Sequence, residues 1–156
     1  MTTQSYPGDL ATPQQIRALA DEYRDAAHLL LKSGKAAKSL TRAPFRLTAI
    51  HAIELYLSAQ LLHRGFAAKK IRTLGHNLAA RALDSGLVLR KRTAEHLKTL
   101  SERREYLVTR YGPERAASTS QINRLTATLD EIAEKVTIAL TTDASPKPKP
   151  LALAAR

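Results

Sequence analysis

Between residues 122 and 140 the apolar side chains recur in steps of three and four: Ile122, Leu125, Leu129, Ile132, Val136, Leu140. That is the repeat of one face of an α-helix. A strand cannot use it, because a strand turns successive side chains to opposite faces. A chain with such a stripe must bury it against other elements. Ile16, Leu19, Ala20, Tyr23, Ala27, Leu30 and Leu31 repeat the pattern. Thr12 before Pro13, with Gln15 three residues after the cap, marks a helix start, and Gly34 a stop. These signals predict a helix over 13–33.

A second helix is expected over 43–64. Leu47, Ile50, Ile53, Leu57 and Leu61 lie on one side of it and Ala52, Leu55, Ala59 and Leu62 on another. A helix apolar on two sides belongs in the middle of a bundle. Residues 65–75 read as a basic loop, 77–85 as a short helix closed by Gly86, and 90–111 as a fourth helix. Ala94, Leu97, Leu100, Leu107 and Val108 should face inward there, and Gly112-Pro113 should end it. The fifth helix is the stripe of 122–140. The expected fold is therefore all-α, an up-and-down bundle of about five helices over 12–141. Residues 1–11 are expected to be a flexible lead-in. Residues 142–156 are expected to be a disordered Pro/Lys tail, because the alternating prolines from Ser145 to Pro150 remove backbone donors.

Composition agrees with helix: aromatics are 4% of the chain and Trp is absent, so the residues that favour strands are scarce. With no Cys, disulfides, thiolate metal sites and cysteine nucleophiles are excluded. No apolar run approaches the ~18 residues of a membrane span, and Met1–Leu10 lacks the basic-then-apolar order of a secretory signal. A cytoplasmic protein is expected.

The net charge of +11 is uneven. Residues 63–115 hold thirteen Lys/Arg against five Asp/Glu, a net of +8, with +2 before them and +1 after. Such a surplus attracts polyanions, nucleic acid first among them. Within it, Arg103, Arg104, Tyr106, Arg110 and Tyr111 gather at the end of the fourth helix. Arg103, Tyr106 and Arg110 would share one side by spacings of three and four. Arg grips phosphate and Tyr stacks on bases, so these five are the candidate nucleic-acid-binding residues.

Catalytic chemistry is harder to assemble. His28, His51, His63, His76 and His96 lie apart, none paired at i,i+4, so no metal site is expected. No Gly-flanked nucleophile elbow or phosphate-cradling loop is present, and no cofactor is expected. Glu54 sits inside the apolar second helix and should be a buried polar residue held by a basic or hydroxyl partner from another helix.

Three segments carry a resemblance: His51-Ala52-Ile53-Glu54-Leu55-Tyr56-Leu57, then Leu74-Gly75-His76-Asn77-Leu78, then Tyr106-Leu107-Val108-Thr109-Arg110-Tyr111-Gly112-Pro113. Their order over 45–113 resembles the HEPN superfamily of helical domains found in prokaryotic toxin–antitoxin and defence systems. The resemblance implies a four- or five-helix bundle, a homodimer, and RNA or a nucleotidyltransferase-like protein as partner. Active HEPN members are metal-independent ribonucleases that use an Arg, then four to six residues, then His. Here Arg90 and His96 have that spacing, at the start of the fourth helix, and Ser58 stands where members often have Lys. The expected function is thus a module that binds RNA or a protein without cleaving. The alternatives are a ribonuclease using Arg90 and His96, or a purely structural dimerisation bundle.

Overall fold

The computed structural model describes residues 4–142, and among these every regular element is helical. Seven α-helices follow one another: α1 (Pro13–Ser33), α2 (Ala43–His63), α3 (Ala68–Thr73), α4 (Leu78–Ser85), α5 (Lys91–Glu102), α6 (Glu105–Tyr111) and α7 (Ile122–Thr142). Two 3₁₀ turns, Ser39–Arg42 and Pro113–Ser118, link α1 to α2 and α6 to α7. No described helix is long and apolar enough to cross a membrane. The proposed Pro/Lys tail lies outside the described residues.

Helix α1 begins as its sequence demands. The Gln15 N–H donates to Thr12 Oγ1 at 3.1 Å, and the Thr12 N–H donates to Gln15 Oε1 at 2.9 Å, a reciprocal capping box. Its buried positions are Ala20 and Ala27, small residues that let it lie close along α2. The larger Leu19 and Tyr23, expected inward, remain partly open to solvent. Helix α2 is central, as its two apolar sides require. Eleven of its residues are buried, from Phe45 to Leu61, and it packs on α1, α4, α6 and α7. The stripe of α7 is buried at Leu125, Leu129, Ile132, Val136 and Leu140.

Two expectations need correction. The supposed loop 65–75 contains α3, a single short helix anchored by buried Ile71. Lys69 and Lys70 precede that one apolar contact and Arg72 follows it, which hid the period. Residues of the lead-in meet α3: Arg72 lies over the Tyr6 ring at 4.4 Å and pairs with Asp9. The fourth helix is two helices. Arg104 adopts a left-handed backbone (φ 51°), a conformation that a side chain other than glycine's seldom takes. It stops α5 and restarts the chain as α6 in a new direction. No Gly or Pro marks this point, so periodicity ran straight through it. The consequence is a change of inward face. Leu97 and Leu100 are buried as expected, but Ala94 and Leu107 are exposed, and Thr93 and His96 take inward places instead. Five helices was therefore an undercount.

Candidate nucleic-acid interface

The break at Arg104 sets a basic surface. Arg103 and Arg104 are both exposed, and Glu105 plunges into the core between them and Tyr106. Two grooves meet at Arg104. One, about 510 Å³, runs between the start of α4 and the α5–α6 break, past His76, Asn77, Lys98, Ser101 and Tyr106. The other, about 660 Å³, passes Arg103, Val108, Arg115, Ser118 and Thr119. Among the described residues no ion pair engages Arg103, Arg104 or Arg110, whereas Lys91, Lys98 and Arg115 each have a neighbouring Glu on the surface. Tyr111, at the end of α6, is 76% exposed. Arg103 does not share a helix face with Tyr106 and Arg110, as the spacing had suggested, because the left-handed residue intervenes.

Tyr106 packs its ring against His76, centroids 4.6 Å apart. His76 in turn presents Nδ1 to Glu54 Oε2 at 3.0 Å. The other Glu54 oxygen lies 3.5 Å from Arg81. Buried Arg81 also donates to Gly75 O at 2.8 Å and to Ser58 Oγ at 2.7 Å. Glu54 thus has His76 and Arg81 as basic partners from outside its helix, but its side chain is 17% exposed and so half-buried rather than buried as expected, because His76 holds it at the rim of the core. Nearby His51 lies edge-on to Tyr23. Burial pushes its pKa below the ordinary value; Glu54 opposes this, and Arg110 and His76 add to it. Tyr106 of α6 and the Glu54–His76 pair therefore stand in contact.

The candidate pair Arg90 and His96 is not brought together as a site. Arg90 is exposed at the start of α5. His96 is 5% exposed and turned inward. Its Nδ1 lies 2.8 Å from Thr128 Oγ1 and its Nε2 3.0 Å from Ser120 Oγ. The Ser120 hydroxyl donates to Glu105 at 3.1 Å, so its oxygen accepts from His96. That assigns the proton to Nε2 and leaves Nδ1 to accept from Thr128. Burial, with Arg124 and Arg46 nearby, holds His96 down to about 4, which keeps it neutral at physiological pH.

Two carboxylates that sequence reading passed over organise this region. Glu105, 1% exposed, accepts from the Ser120 N–H at 2.6 Å as well as from its hydroxyl. Glu131 of α7 accepts from the Arg90 N–H at 2.8 Å, from Lys135 Nζ at 2.7 Å and from the Thr93 hydroxyl. Arg90 supplies no side-chain cap of its own, so Glu131 serves as a cap for α5 from another helix. Burial pushes the Glu131 carboxyl up, but these three donors outweigh it and hold it near 2. A signal was present: Thr128 and Glu131 sit three residues apart beside the apolar stripe of α7, where solvated polar residues do not belong.

Among the described residues no three His, Asp or Glu side chains converge as a metal site requires. No protein-family model, curated protein or solved structure matches the chain.

Proposed function

We propose that this protein is a HEPN-like helical module that binds single-stranded RNA along the two grooves meeting at Arg104, without cleaving it. The observation that carries this reading is the set of exposed, unpaired cations Arg103, Arg104 and Arg110 beside Tyr106 and Tyr111. Unpaired guanidinium groups track phosphates, and an exposed Tyr offers a stacking platform to any base. Binding rather than cleavage is favoured because His96 gives both ring nitrogens to Thr128 and Ser120 in the interior.

A short labelled RNA titrated at several salt concentrations tests it. Each phosphate neutralised on a single strand contributes about −0.7 to the slope of log K against log salt. Arg104→Ala and Arg110→Ala should each flatten the slope by about that amount. Tyr111→Ala should weaken binding by about 1–3 kcal/mol and leave the slope alone. Absence of measurable affinity at about 50 mM salt, where phosphate contacts are strongest, would end this reading.

A further inference from the structure

Beside the basic surface, the 3₁₀ turn Ser39–Arg42 and the start of α2 face α6 and the Pro113–Ser118 turn across a cavity of about 240 Å³. Its wall is largely apolar, with Leu40, Ala43, Val108, Pro113 and Ala116 contributing. One charged group of the core also lines it: Arg46, only 8% exposed. The Nη1 of Arg46 is buried and has no hydrogen-bond acceptor. Its nearest carboxylate oxygen, Glu105 Oε2, stands 3.9 Å away, beyond hydrogen-bond reach, and both Glu105 oxygens already accept from Ser120. In Arg24, Arg42 and Arg124 the buried orphan is the inner Nε, and Arg24 still reaches Asp130 at 2.8 Å through a terminal nitrogen. Among the described residues Arg46 is the arginine left with a buried terminal donor unmet.

A buried guanidinium without acceptors is costly, and its planar fork matches a carboxylate. One such group in an apolar wall is the make-up of a small-ligand pocket. Arg110 also lines the cavity and Arg42 lies close enough to act on Arg46 electrostatically, so positive charge outweighs that of Glu105. We propose that this cavity binds a small molecule with an apolar body and one carboxylate, the carboxylate seated on Arg46. The volume lies below the roughly 300–1,000 Å³ of pockets for drug-sized ligands, which favours a single ring or short chain over anything larger. The proposal does not depend on RNA binding, since its test contains no RNA.

The test is a titration of the full chain with 3-phenylpropionate, followed by backbone amide shifts in NMR. Its neutral amide and inorganic phosphate serve as the comparison ligands. The acid should move the signals of Leu40, Val108 and Ala116 and bind about ten- to a hundredfold more tightly than the amide, the worth of a charge-assisted hydrogen bond. Arg46→Gln should erase that preference. Ala116→Phe, which fills the cavity from its rim, should remove binding while circular dichroism stays helical, and it serves should Arg46→Gln fail to fold. Equal binding of acid and amide, equal binding of bare phosphate, unchanged affinity in Ala116→Phe, or no shifts at about 10 mM acid would each overturn the proposal; for that last outcome, 10 mM is weaker than the loosest affinity such a pocket should show.

Discussion

Glu131 and Glu105 are both buried carboxylates; Glu131 meets the start of α5, and Glu105 opens α6 at the α5–α6 break. Glu131 is closed on itself: the Arg90 amide, the Thr93 hydroxyl and Lys135 satisfy it, and its cation reaches solvent. Glu105 is satisfied by Ser120, but the cation it compensates, Arg46, is buried and stops 3.9 Å short. One network finishes a helix end. The other leaves a donor over, at the wall of a cavity. The difference teaches that burial of an acid says little until its partners are counted, because an unmet donor and a met one have opposite meanings for function.

The largest expected effect separates the two directly. Glu105→Ala strands the buried Arg46 charge and should cost about 3–5 kcal/mol in urea unfolding. Replacing both residues together, Arg46→Met with Glu105→Leu, should restore most of that loss, since apolar groups can replace a buried pair at little cost. A single-variant loss below about 1 kcal/mol would mean that Arg46 is well hydrated and that the contrast is false.

The next effect is acid lability, in two windows. His96 has a folded pKa near 4 against an ordinary 6.5, so the unfolded chain binds its proton first as pH falls. Its contribution is whole above pH 6.5 and is lost between there and pH 4, about 3 kcal/mol in all. Glu131, held near 2 against an ordinary 4.5, keeps its contribution above pH 4.5 and loses it as pH falls toward 2. Stability measured against pH should therefore decline in both ranges. His96→Asn should flatten the upper one alone, and Glu131→Gln the lower one. A single decline confined below pH 4.5 would show that His96 is not protected.

The smallest effect concerns the Glu54 pair, whose carboxylate is more exposed than either Glu105 or Glu131. His76 is 44% exposed, so its share is screened by water. Arg81 is buried but keeps Gly75 and Ser58 as acceptors. Glu54→Gln should therefore cost only about 1–2 kcal/mol. A cost as large as that of Glu105→Ala would place Glu54 among the buried ion pairs.

What the sequence determined by itself is the class of the fold and the bounds of its long helices. Capping at Thr12, the glycine stop at Gly34 and the stripes of α2 and α7 are local, and local rules read them to within a residue or so. Glu54 was also legible, because a lone charge between two apolar faces must find partners wherever the chain folds. The break at Arg104 was not, since no residue there lacks a Cβ or a backbone N–H. The neighbour of Arg104, Glu105, is held by Ser120, fifteen residues further along the chain. Which polar residues became interior was decided the same way. His96, Thr128 and Ser120 come from three segments and satisfy one another only after packing. Helical period is written in neighbours three and four apart, whereas donor and acceptor counts are settled by residues that meet across the fold, and those pairings exist only in the tertiary structure.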